Sequence, residues 1–189
     1  MIVGTRIDFR LIHGQVANLW ANAKQVSRFM VVDDDVATDD VQKQVLRMAC
    51  PATVKLSVLP VEKAAANIAA GKYDAQRLFI LAKKPETLLR LIEAGVDLAE
   101  INVGNMSSMN EVKRVGRNIG LDEGDIAAFQ QLQSKGVKLY AQMVPSDTPS
   151  DFTVSLIPFG NAPSPVYGSA RDSAAARTSL SYVSLRKGG

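Results

Sequence analysis

The chain reads as an α/β protein: a three-layer sandwich with a mainly parallel central sheet of about six or seven strands and helices on both faces. Three observations predict it. Short apolar runs, mostly β-branched or aromatic, alternate with longer stretches whose apolar residues recur three and four apart. Cap residues and glycines stand where those longer stretches begin and end. The 189 residues, 47% hydrophobic and 22% charged, supply one core of ordinary size.

Taken in order, the strand-like runs are 2–7, 29–32, 54–59, 78–81, 101–103 and 137–141, each bounded by charge, Gly or Pro. Between them, Val16, Leu19, Trp20 and Ala23 make one helical stripe. Val41, Val45, Leu46 and Ala49 make a second, and Ile126, Phe129 and Leu132 a third. Thr38 or Asp39 caps a start, Pro85 opens another helix, and Asp122 ahead of Asp125 marks a third. Gly71, Gly95 and Gly136 stand at helix ends. The segment 111–121 breaks the rhythm, and 115–119 reads as an extra strand, antiparallel to the rest. Val154, Leu156 and Ile157 add a short edge strand. Otherwise residues 151–189, with seven Ser, five Ala, four Gly and three Pro, read as a flexible tail of unknown role after a domain at 1–150.

The formal charge is +3 and the pI about 9.0. Arg171, Arg177, Arg186 and Lys187 against Asp151 and Asp172 put a net of +2 in the tail, which leaves the first 150 residues nearly neutral. Aromatic residues are only 6% and are not interleaved with basic ones, so no nucleic-acid platform is expected. A single cysteine, Cys50, excludes an internal disulfide and fits a reducing compartment. Nothing in the sequence has the length of a membrane span, and the expectation is a cytoplasmic protein.

In an open parallel sheet the ligand site lies beyond the carboxyl ends of the strands. The first strand runs out at Ile7 or Asp8, and the only histidine, His13, falls on the loop that follows, next to Gly14 and ahead of an amphipathic helix. Arg6 and Arg10 precede it by seven and three residues. Guanidinium forks, free N–H groups at a helix start and a glycine that lets the backbone approach all suit an anion. A neutral imidazole there can accept a phosphoryl group, with Asp8 pairing an arginine or orienting the ring. Spacing alone leaves the other reading open, a loop histidine bonded to backbone. Asp33, Asp34 and Asp35 resemble the acidic end of a magnesium site, but also ordinary solvated helix-start carboxylates. Cys50, beside Pro51, reads as a packed thiol. With one histidine, no metal site of two imidazoles fits within one chain, and neither metal nor cofactor is expected.

The run RIDFRLIHGQV from Arg6 to Val16 resembles the active-site loop of the IIB components of the mannose/fructose/sorbose family of the bacterial sugar phosphotransferase system. The resemblance continues through VVDD at 31–34, Pro51, INVGNM at 101–106, Gly136 and Pro145, and spans residues 1–150. Phe9 stands where an acidic residue is frequent in the family, and Asn105 where a second glycine is common. The resemblance implies that His13 carries a pros-phosphohistidine. It would be loaded by a separate IIA protein and discharged to a sugar entering through the IIC and IID membrane subunits, with the domain peripheral to that transporter. It also implies that Arg6 and Arg10 flank the phosphoryl group, that Gly14 and Gln15 complete the loop, and that no cofactor takes part. A rival of the same fold class is a receiver-like or regulatory phosphoprotein, phosphorylated at Asp33–Asp35 with magnesium and without sugar phosphorylation.

Overall fold

The computed structural model describes residues 1–154 and 183–187. In chain order the elements are β1 (Ile2–Asp8), α1 (Gly14–Ala23), β2 (Arg28–Val32), α2 (Asp34–Thr38), α3 (Asp40–Ala49) and β3 (Lys55–Leu59). Then come α4 (Val61–Ala69), β4 (Leu78–Ala82), α5 (Pro85–Glu93), β5 (Glu100–Asn105), β6 (Lys113–Val115) and β7 (Ile119–Leu121). The last are α6 (Glu123–Ser134), β8 (Lys138–Ala141), β9 (Ser150–Val154) and β10 (Val183–Lys187).

The pleat of β4 explains the layering. Its side chains alternate across the sheet, so Leu78, Ile80 and Ala82 join one core while Phe79 and Leu81 join the other. The first core is closed by α4, α5 and α6, through Ala64, Leu88 and Phe129 among others. The second is closed by α1 and α3, through Ala17, Trp20, Ala21 and Leu46. Because both faces are covered, β4 is buried at every position, as a central parallel strand requires.

The eight strands run in the order β10-β9-β8-β5-β1-β4-β2-β3. Those from β8 to β3 are mutually parallel, while β9 and β10 are antiparallel additions at one edge. The chain leaves β1 toward β2 on one side and leaves β5 toward β8 on the other. The carboxyl ends of β1 and β5 therefore flank a topological switch point, where such sheets open a crevice.

Several local expectations meet a different outcome. Residues 115–119 are not one strand: Gly116, at φ +58°, turns the chain, so β6 and β7 pair antiparallel as a hairpin with Val115 opposite Ile119. The expected stripe on α3 keeps only Leu46 buried, and Val41 and Val45 are exposed. On α1 the buried face is Ala17, Trp20 and Ala21, with Leu19 turned outward. Asp39, not Thr38, caps α3 by accepting from the Gln42 N–H. The boundary expected after residue 150 falls inside β9. The tail expectation therefore meets strands at 151–154 and 183–187, while Leu156, Ile157 and the rest of that stretch lie outside the described residues. The α6 stripe, Pro85, the Asp122–Asp125 capping box and the positive φ of Gly71, Gly95 and Gly136 match expectation. No helix among the described residues is long and apolar enough to cross a membrane.

Candidate functional site

Strand parity decides where the charged residues of β1 go. Ile7 faces the core under α4–α6, so Arg6 and Asp8 face the opposite layer, beneath α1. Arg6 is only 1% exposed. Its Nη1 donates to the Asn102 side-chain oxygen and, at 2.9 Å, to the Gln142 carbonyl. Its Nη2 donates to Asp8 Oδ2 at 2.8 Å and lies 3.8 Å from the Met143 sulfur, and the guanidinium sits 5.4 Å from the Trp20 ring centre. Burial pulls Arg6 below its ordinary pKa, and Asp8 partly offsets this. Both Nη groups are thus committed inside the protein, while Nε is buried without a hydrogen-bond partner among the described residues. The expectation that Arg6 grips a phosphoryl group does not fit this arrangement, because both of its Nη groups are already spent on Asn102, the Gln142 carbonyl and Asp8 and the side chain is buried.

Asp8 is fully buried and divides its two oxygens. Oδ2 takes Arg6; Oδ1 accepts from the Arg10 backbone N–H at 3.2 Å and lies 3.8 Å from Arg10 Nε. Asp8 therefore orients arginines, not the histidine ring. The Arg10 side chain is 42% exposed and lies over the Phe9 ring, 5.9 Å from its centre. It is the loop's outward-facing cation.

Between them the loop is held by Phe9 N–H to the Asn105 carbonyl and Leu11 N–H to the Asp8 carbonyl, both at 2.9 Å. Leu11 is buried at φ +56°, a left-handed conformation that costs a branched side chain about 1–2 kcal/mol and survives because its side chain is locked into the α1 core. Its carbonyl lies 2.9 Å from His13 Nδ1, and so accepts the Nδ1 proton. Nε2 is buried with no hydrogen-bond partner among the described residues. His13 is also the N-cap of α1 but makes no side-chain cap, and the first turn carries no acidic residue. The opening amides of α1 thus present an uncompensated positive end. Gly14, at φ +45° with open space around its α-carbon, leaves that end accessible. The Gln15 backbone lies in the first turn; its side chain is outside the described residues.

The aspartates after β2 do other work. Asp33 Oδ1 caps α2 through the Val36 N–H, and its Oδ2 pairs with Lys83 at 3.5 Å. Asp34 accepts from the Val61 N–H and pairs with Arg90 at 2.6 Å, which holds its carboxyl below the usual range. Both side chains are engaged in caps and ion pairs, and among the described residues no group of three or more acidic, histidine or cysteine side chains is placed to hold a magnesium ion. The Cys50 thiol donates to the Val54 carbonyl at 3.4 Å and burial pushes its pKa up, as for a packed thiol.

Sequence reasoning missed Asn102, Gly104, Trp20, Gln142 and Met143, all of which meet Arg6. Asn102 and Gly104 carried a signal, a polar residue and a glycine in a strand buried on both faces. Gln142 acts through its backbone carbonyl and carried none.

A single histidine at an uncapped helix start shares its loop with a tethered cation, at the switch point of the parallel sheet of an α/β domain. The family model described as PTS system sorbose subfamily IIB component matches residues 2–159. The fructose-specific EIIB component of Bacillus subtilis is 37% identical over 151 residues, which cover 80% of this chain and 93% of the relative. The mannose-specific EIIAB component of Escherichia coli is 38% identical over 148 residues, 78% of this chain and 46% of that longer protein. The crystal structure of the IIBSor domain of the Klebsiella pneumoniae sorbose permease superposes with a TM-score of 0.76 at 36% identity, covering 80% of this chain and 93% of that one. The chain belongs to the sorbose-subfamily IIB components of the sugar phosphotransferase system, and is a phosphoryl-transfer component.

Proposed function

We propose that His13 is the phosphoryl acceptor of this IIB component and carries the group on Nδ1, as a pros-phosphohistidine, from a IIA donor to a sugar. The observation that supports it best is the meeting on one loop of the sole histidine, the uncapped start of α1 and the guanidinium of Arg10 tethered by Asp8.

In the first step the Nδ1 lone pair forms a new N–P bond while the donor's N–P bond breaks, and the donor imidazole keeps that electron pair. Exchange between two imidazoles is nearly isoenergetic, so the protein contributes alignment and charge. Arg10 takes the phosphoryl oxygens, the opening amides of α1 add partial positive charge, and Gly14 and Gln15 complete the loop. At rest Nδ1 keeps its proton and donates it in a hydrogen bond to the Leu11 carbonyl. The ring must therefore turn off that carbonyl, with the proton moving to Nε2, before Nδ1 can attack. In the second step a sugar hydroxyl oxygen bonds to phosphorus, the N–P electrons return to Nδ1, and the hydroxyl proton leaves to water.

The partners are IIA, and the IIC and IID membrane subunits that present the sugar, at whose cytoplasmic face the domain docks peripherally. The EIIAB relative, whose name joins A and B parts in one component, supports the pairing with IIA. No cofactor or metal is invoked, and no nucleic acid.

Incubation with phosphoenolpyruvate, the general phosphotransferase proteins and a cognate IIA tests the assignment. Label is expected on His13, acid-labile and alkali-stable, and lost in His13→Ala while far-UV circular dichroism stays unchanged. Label retained by His13→Ala, or an alkali-labile acyl phosphate, overturns it.

A further inference from the structure

Arg6 is large, charged and almost wholly buried, and it touches more of the site's framework than any residue of the loop itself. Its guanidinium reaches β5 through Asn102, the segment after β8 through the Gln142 carbonyl and the Met143 sulfur, α1 through Trp20, and its own strand through Asp8. The neighbours are shaped around it. Gly104 leaves no room for a β-carbon against the guanidinium, and the Trp20 indole N–H donates to the Met143 carbonyl at 3.3 Å, closing the ring of contacts. Asn102 spends both ends of its amide here, accepting from Arg6 and donating to the Gln142 carbonyl at 3.1 Å. A buried charge is costly unless paired and fully bonded, and an apolar residue of similar volume would serve packing as well or better. Stability alone therefore does not account for it.

What Arg6 does have is one route outward. Asp8 is its only anionic partner among the described residues, and the other oxygen of Asp8 holds the Arg10 backbone N–H and faces Arg10 Nε. Resting on the function assigned above, we infer that Arg6 is a positioning residue for phosphoryl transfer. It fixes the Asp8 carboxylate in one orientation, and through it sets where Arg10 stands beside His13. Arg6 itself touches no phosphoryl oxygen. Lysine cannot replace it, because one ammonium cannot span Asp8, Asn102 and the Gln142 carbonyl at once.

The test uses the full chain and the phosphohistidine form of a cognate IIA. Arg6→Lys should lower kcat for transfer by about 100-fold, the scale of a small misplacement of a reacting group, with KM for the donor little changed. In an Arg10→Ala background the same substitution should cost no more than about threefold, since residues acting in series are not additive. The Arg10 backbone amide resonance should move in Arg6→Lys and, in the same direction, in Asn102→Ala, which serves as the second variant if Arg6→Lys does not fold. A folded Arg6→Lys with the wild-type rate, losses that add in full to Arg10→Ala, or an unmoved Arg10 amide overturns the inference. If the wild-type chain takes no phosphate on His13, the assigned function falls, and the Arg10 amide comparison still decides the positioning role.

Discussion

Gly104 on β5 and Arg6 on β1 are complementary in shape: the guanidinium fills the space a β-carbon at 104 would need. The displaced atoms would be a bonded, buried charge and not the loose end of a surface chain. Gly104→Ala is expected to destabilise the domain by about 2 kcal/mol, typical of overpacking, and chemical denaturation measures it. A neutral substitution would mean that Arg6 has somewhere else to go.

Arg10 is the one guanidinium of the loop with an exposed face. Arg10→Ala should slow transfer by about 100- to 1,000-fold, the cost of one lost charge-stabilising donor, while the label still appears on His13. Single-turnover transfer from a phosphorylated donor is the measurement, and an unchanged rate removes Arg10 from the mechanism.

Asp122 caps α6, bonds Ser108 and pairs with Lys84 at 2.8 Å, and these contacts lower its pKa to about 2. A carboxylate held below its unfolded value of 3.8 stabilises the fold above that value, and the contribution is lost as pH falls toward about 2. Its neighbour Asp125 moves the other way, raised chiefly by burial, so the two partly cancel and Asp122 alone does not set the acid midpoint. Asp122→Ala should cost about 1–2 kcal/mol at pH 7 through the lost cap and bridge. That difference from wild type should shrink as pH falls from 4 to 2, as urea melts across the range will record.

Gln25 sits just past α1 at φ +49°, exposed, with its N–H on the Asn22 carbonyl. This is a helix-end position that favours glycine. Gln25→Gly should raise stability by about 0.5–1 kcal/mol, the left-handed strain relieved less the entropy glycine adds to the unfolded chain. The Arg77 bond to the Gln25 carbonyl is to backbone and survives the change. A lower Tm in the variant would contradict this.

The sheet was legible because a strand buried on both faces must be a short apolar run, as β4 is throughout and β2 is after Arg28. The α6 stripe was legible for the same reason, since Ile126, Phe129 and Leu132 all face one core. On α3 the rule fails, because Val41 and Val45 are apolar yet exposed, and hydrophobicity alone does not say which way a helix turns. The site divides similarly. His13, Gly14 and Arg10 follow from their place after the first strand. Arg6 does not, because spacing along the chain puts two arginines near one histidine without saying that one lies beneath the helix and the other above the loop. Counting the pleat from Ile7 would have separated them.

β1 lies inside the sheet, with β4, β2 and β3 to one side and β5, β8, β9 and β10 to the other. The histidine loop therefore springs from a strand that cannot flex without carrying its neighbours, while Phe9, Met109 and Val112, all exposed, lie on loops around the same end. A carrier built this way keeps a stationary floor under its cargo and leaves adaptation to its rim. Two visitors of different shape can then be met in turn without the chemistry being re-aimed.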